Sequence, residues 1–383
     1  AITTGNDTTL VGFEAGKVVS TGQSNSLIGY QAGVALTTGF ANTVLGSAAL
    51  STEDTGRYNT AIGAGALENQ NNDVDNYNTA VGYNAGNAVT TGINNTLIGG
   101  LAGDVLTDAD DNVAIGYAAL SADAKGDGSV AVGKFALANQ NFTSVTSTHN
   151  TETSGNDSTA IGQQALGNQN CQTDSHNTAV GYLSGYYLTT GVANTFIGSV
   201  AGFGSSGTAL TGDANTCVGY RAGHVLQGDA DNNTIIGKDA GKTIYTADDN
   251  TLIGVFAGED LTIGEQNVAI GVGALQNADV DRRSTAVGYY ALANQNATGG
   301  SVSSNNNVGV GVYAGYSANT GANNTMVGGI AGYDITTGNN NIALGYEALR
   351  SGSPGGTVAT SNNVIGLGDE NIASFHCQVS LSV

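Results

Sequence analysis

Asn95-Thr96-Leu97-Ile98-Gly99-Gly100-Leu101-Ala102-Gly103 is the stretch that decides the fold, because the phrase Asn-Thr-x-Ile-Gly-x-x-Ala-Gly returns about twenty times along the chain. Counted on its central glycine, the phrase runs from Gly12 to Gly366, and twelve of the nineteen intervals are 17 residues. Every exception is longer. A fixed period that tolerates only lengthening is the mark of a repeat protein whose insertions leave through loops. The expected fold is therefore all-β, a parallel β-solenoid or β-roll of about twenty coils, each close to 17 residues long.

Each phrase predicts one short strand. The residue before the glycine is always Val, Ile or Leu, as in Val11, Ile28, Leu45 and Ile365. The residue before that varies in size: Leu10, Ala61, Phe196, Cys217, Ile235, Gly309, Met326. Two successive apolar residues mean that both strand faces are covered. The uniform aliphatic is expected to point into the coil and stack on its equivalents. The variable residue is then expected to face a neighbouring copy of the chain.

Around this pair the remaining positions take on roles. Asn opens sixteen of the twenty phrases, with Thr8, Ser129, Ser158 and Ser284 in the others. Stacked asparagines can cap turns and bond one another as a ladder. The recurring Ala three residues after the glycine predicts a tight inner corner. Phrases close in either Ala-Gly or Ala-Leu, and the second kind leads into links such as Ala66-Leu67-Glu68-Asn69-Gln70-Asn71. The longest excursions, Phe142 to Asp157, Cys171 to His176 and Ala297 to Asn306, follow such links. Loops of this kind carry function more often than the scaffold does.

The chain has 383 residues, 59 of them Gly, with no Trp and no 3.6-residue apolar stripe that would suggest helices. The repeat spans residues 1–368 as one solenoid, about 95 Å of stacked coils at about 4.8 Å each. Residues 369–383 break the pattern. Phe375, Cys377, Val379, Leu381 and Val383 alternate with polar residues and predict an exit strand. Ala1 falls in mid-pattern, which leads us to expect a preceding segment removed by processing or by choice of boundary.

A net charge of −21 excludes nucleic acid and anionic membranes as partners, since phosphate neutralisation needs clustered Lys and Arg. No transmembrane run and no signal peptide are read. The cysteines Cys171, Cys217 and Cys377 lack metal or redox spacing, and Cys217 is expected to act as a small hydrophobe. His149, His176, His224 and His376 belong to no spaced motif. Turn acids recur at Asp108, Asp110 and Asp111, at Asp229 and Asp231, and at Asp248 and Asp249. They lack the strict spacing of the Ca²⁺-binding nonapeptide repeat, so turn capping is the expected role. No carboxylate pair is selected for glycoside chemistry. No catalytic, cofactor-binding or metal-binding residue is assigned, and an enzyme is not expected. Ice binding would need a flat, regular Thr array, which the intervals of 19, 21, 23 and 29 residues argue against.

Two resemblances bear on function. Asn-Thr-Ala-Val-Gly, at Asn78 to Gly82 and Asn177 to Gly181, resembles the repeat of trimeric autotransporter adhesin heads. The whole chain resembles bacteriophage tail fibres and tailspikes that end in an endosialidase-type intramolecular chaperone. There, long arrays of this phrase lead into a segment similar to Ser374-Phe375-His376-Cys377-Gln378-Val379. The resemblance implies an intimately associated homotrimer at the tail of an extracellular virion. It also implies partners among other tail, baseplate or fibre proteins, and attachment through loops to a host cell-surface glycan or outer-membrane protein. A bacterial trimeric surface adhesin head is the alternative, followed by a polysaccharide-degrading tailspike.

Overall fold

The computed structural model describes residues 7–141, 157–171, 175–296, 303–351, 358–372 and 374. Among these residues the secondary structure is all-β, and no helix is long and apolar enough to cross a membrane. Two compact units divide the chain, Ala1–Ala214 and Asn215–Val383. Each is a parallel β-solenoid, about twenty coils in all. In the first, three-residue strands run from Thr9–Val11 to Thr195–Ile197. In the second they run from Thr216–Val218 to Ile365–Leu367.

Within each unit every strand pairs in register with its equivalents. Thr9, Leu10 and Val11 lie beside Ser26, Leu27 and Ile28, and Thr234, Ile235 and Ile236 beside Thr251, Leu252 and Ile253. Lengthened links leave this register intact. Across the 29-residue interval, Val130, Ala131 and Val132 still pair with Thr159, Ala160 and Ile161. The last coil is read differently from the sequence. Ile365, Gly366 and Leu367 pair with Ile342, Ala343 and Leu344, so Gly368, not Gly366, is the phrase glycine. Its N–H donates to the Leu344 carbonyl, and Val364 takes the Asn position by donating to Asn341 Oδ1. Phe375 to Val383, where the exit strand is expected, lie outside the described residues.

The two strand faces are the reverse of the sequence-based expectation. The middle, variable residue is the one inside: Leu27, Ala61, Leu97, Phe196, Ile235 and Met326 are all fully buried. The uniform aliphatic before the glycine points out, with Ile98 38% and Leu45 47% exposed. The physical reason lies in the corner that follows. Gly29 has φ +141°, and a Cβ there would lie 2.4 Å from the Gly46 carbonyl oxygen of the next coil. The chain turns there and packs Ala32, buried like its equivalents Ala66 and Ala257, against the interior.

The interior explains why its strand residue varies. Ala-Gly and Ala-Leu endings are two ways of filling one space. Where the strand centre is large, as at Leu27, Phe196, Leu252 and Met326, the phrase ends in glycine, at Gly33, Gly202, Gly258 and Gly332. Where it is alanine, as at Ala61, Ala114, Ala269 and Ala343, the phrase ends in leucine, at Leu67, Leu120, Leu275 and Leu349. Apart from Cys217 with Gly223, three coils are small at both positions: Ala80 with Gly86, Ala179 with Gly185, Gly309 with Gly315. Each follows a leucine coil whose side chain reaches over. A Cβ on Gly86 would meet Leu67 at 2.9 Å, and on Gly185 or Gly315 it would meet Leu166 or Leu292 at 2.7 Å. The leucines sit in left-handed backbone, φ 48° at Leu67, which costs about 1–2 kcal/mol. Burying the side chain returns about 1.5–3 kcal/mol.

A buried asparagine ladder runs beside the strands, as the phrase suggests. Asn42 N–H donates to Asn25 Oδ1 at 3.0 Å, and Asn25 Nδ2 donates to the Gly39 carbonyl at 2.8 Å. The same pair recurs from Asn250 to Asn267. Where an Ala-Leu link intervenes, a buried glutamine extends the ladder. Gln169 accepts from Asn177 Nδ2 at 3.1 Å and donates to Ser158 Oγ at 2.9 Å. Gln295 does the same with Asn307 and Ser284. Serine replaces the leading Asn at Ser129, Ser158 and Ser284, each with a glutamine eleven residues on, whereas Asn59 keeps its place ahead of Gln70.

The shared-space packing predicts a specific coupling. Leu27→Ala is expected to cost about 2–5 kcal/mol in chemical denaturation, and Gly33→Leu about 1–3 kcal/mol by overpacking. The double variant should recover at least half of the combined loss. Additive losses would contradict the account.

Candidate functional site

Two surfaces stand out from the scaffold. The first is the outward strand face, which presents two rows. One row holds the first strand residue, such as Thr79, Thr96 and Thr178, which are partly exposed, and Thr43, which is exposed. The other holds the branched aliphatics, including Val11, Ile28, Leu45, Ile98, Ile161 and Ile197 in the first unit. In the second unit Ile236, Ile270, Val327 and Leu344 continue the same pattern. The looped-out insertions leave both rows unbroken within each unit. The lengthened intervals therefore do not break the first row, but Val113, Val130, Val268, Val308 and Ile342 stand in it in place of Thr, so Thr stacks only in runs of a few coils.

Aromatic side chains flank this face. The residue after the glycine is exposed at Phe13, Tyr30, Tyr83, Tyr117, Tyr182, Tyr220, Tyr289 and Tyr346. Phe13 and Tyr30 stack with ring centroids 5.5 Å apart, and Tyr117 meets Phe135 edge-on at 5.6 Å. In the second unit Tyr290 stacks on Tyr313 at 6.0 Å and Tyr316 on Tyr333 at 5.1 Å. Monomeric surfaces seldom carry apolar area in continuous rows of this kind.

The second surface is an edge built by the links, six and eight residues after each phrase glycine. There the side chains alternate: Ile244, Leu261 and Ala278 are fully buried, and their neighbours on either side face out. In the second unit this edge opens a cavity of about 390 Å³ lined by Thr243, Tyr245, Asp260, Thr262, Asn277, Asp279 and Asn296. In the first unit the equivalent positions open one of about 450 Å³ around Asn139, Asn168, Tyr187 and Thr189. Sequence reasoning missed both. The signal is present in Thr243-x-Tyr245, Asp260-x-Thr262 and Asn277-x-Asp279, but it appears only once the links are stacked.

Two of the turn acids, Asp110 and Asp248, cap backbone as expected, and Asp127 does the same. Asp110 Oδ1 accepts from Ile93 N–H and Asp127 Oδ1 from Asp110 N–H, both at 2.7 Å, and Asp248 Oδ1 accepts from Asp231 N–H at 2.8 Å. Burial pushes the Asp127 carboxyl up to about 6, against the lowering by that backbone donor and with help from Asp110, Asp108 and Asp111. Cys217 is buried at a strand centre, where burial raises its thiol, as a small hydrophobe should be. Cys171 is also buried, which the loop reading does not foresee. Its thiol is pushed up to about 12 by burial and donates to the Thr189 carbonyl at 3.4 Å.

Two of the histidines, His176 and His224, are among the described residues. His176 lies 3.6 Å from Asp157 on the surface. Burial, then Arg221 and Lys242, lower the pKa of His224. His149, His376 and Cys377 lie outside the described residues. No family model and no curated protein matches this chain.

Asp127 gives a pH prediction. A carboxyl whose folded pKa is raised stabilises fully below its ordinary value of 3.8 and loses that contribution as pH rises through about 6. Between about pH 4 and 7, the denaturation midpoint of the wild type should fall relative to that of Asp127→Asn. Parallel midpoints across the range would show that Asp127 is not raised.

Proposed function

We propose that this chain is a structural and adhesive fibre protein that works as a homotrimer, the shaft of a viral tail fibre presenting its edges and loops to a host surface. The observation that supports this reading is the outward strand face. Almost every coil spends a branched aliphatic on it, and a row so uniform is costly to leave in water at about 25 cal/mol per Å². A second copy is the natural cover, because a parallel solenoid repeats the same row for the whole length of a unit. Closed symmetry around such a face gives a discrete oligomer.

The acidic composition fits this arrangement, since it keeps assembled fibres soluble and apart. A bacterial trimeric surface adhesin would use the same face in the same way and differ in what anchors it. A polysaccharide-degrading tailspike would need catalytic carboxylates that no observation singles out. A second reading rests on the Thr runs of the first row: left in water, the hydroxyls and methyls of Thr43, Thr60, Thr79 and Thr96, about 4.8 Å apart from coil to coil, are the kind of surface that ice binding needs.

Light scattering of the purified chain separates these. The fibre reading expects about three times 38.1 kDa, and Ile98→Glu with Ile236→Glu should lower the mass toward that of one chain. A stable single-chain mass would sink the fibre reading. Thermal hysteresis in the same single-chain sample would then support the ice-binding one.

A further inference from the structure

We propose that the edge cavity of the second unit is a binding site for an uncharged saccharide. This rests on the adhesive reading and gives it an attachment point on the solenoid itself, distinct from the strand face. Four stacked links line it, and the backbone of the first three is fixed before any ligand arrives. Tyr245 N–H donates to Thr262 O, Thr262 N–H to Asp279 O and Asp260 N–H to Gln276 O, each at 2.9 Å. Asn277 Nδ2 is oriented by Asn294 Oδ1 at 2.8 Å, and Thr262 Oγ1 donates to Asp279. A volume of about 390 Å³ lies within the range of small-ligand sites.

The lining chemistry selects the ligand class. Tyr245 is 42% exposed and offers a ring face for the C–H side of a pyranose. Asp260 and Asp279 are acceptors for sugar hydroxyls, and among the described residues no donor hydrogen-bonds the Asp260 carboxylate. Asn277 supplies amide donors and an acceptor. Burial, then the nearby Glu259, raise the Asp260 pKa, and Lys242 pulls it the other way. No Lys or Arg lines the cavity, and the nearby Lys242 ammonium is held by Glu259 at 3.3 Å. Two carboxylates and a net charge of −21 disfavour phosphates and acidic sugars. Among the described residues no group of three His, Cys, Asp or Glu side chains could hold a metal ion there.

Saturation-transfer NMR on the full chain tests the site with methyl glycosides of glucose, galactose and mannose, and with a methyl glucuronide as the charged probe. Transfer to the ring C–H protons of at least one neutral glycoside is expected. It should fall at least tenfold in Tyr245→Ala and in Asp260→Asn, an exposed substitution that leaves the fold in place, and should be weaker for the glucuronide. No transfer to any neutral glycoside, unchanged transfer in both variants, or equal transfer to the glucuronide would overturn the proposal. The mass of the same sample keeps the two readings apart. A trimer without transfer removes the site alone, and a single chain with transfer removes the fibre reading alone.

Discussion

One close approach governs this structure: within each unit, from Gly12 to Gly181 and from Gly219 to Gly328, the carbonyl of the next phrase glycine lies over the glycine of the coil before it. At Gly29 the gap to Gly46 O leaves no room for a Cβ, and the same geometry recurs at Gly99 and Gly254. The strands on one side of this column and the alanine corner on the other are therefore locked to a common stacking distance. Asparagine side chains lock the next turn by the same means, taking a backbone N–H from one coil and giving an N–H to a carbonyl. Extra residues can leave only through the links, which is why a 29-residue interval disturbs no strand pairing.

With the backbone fixed this tightly, side chains divide the work by direction. Inward positions answer to a small shared volume, so they vary and compensate: a large strand centre goes with Gly, a small one with Leu. Outward positions answer to their neighbours in the stack, so they converge on one shape. The resulting aliphatic row is half-exposed in each unit and carries the proposal that copies of the chain associate through it. The link edges, free of that constraint, carry the chemical variety, and the saccharide site is proposed there.

Much of this was legible in the sequence. Period, strand positions, the Asn ladder and the alanine corner all follow from the phrase. The face assignment did not, because uniformity in a repeat looks like a core requirement. Here Ile98 and its equivalents are uniform on the outside, and Phe196 beside Ala179 shows how much variety an interior accepts when a second position compensates. The last coil was misplaced because Ile365-Gly366 and Leu367-Gly368 both offer an aliphatic before a glycine, and only strand pairing chooses between them. The edge cavity was hidden because its residues come together from four coils. Tyr245, Asp260 and Asn277 belong to no local motif.

The outward aliphatic row is tested most directly by methyl NMR with a soluble paramagnetic probe. Ile28, Ile98, Ile161 and Ile236 report the outer face, and the fully buried Ile235, Ile244 and Ile335 serve as internal references. The account predicts that the outer methyls in the assembled protein are shielded nearly as well as the interior ones. Attenuation of the outer methyls to the level of freely exposed side chains, with the interior ones untouched, would contradict it.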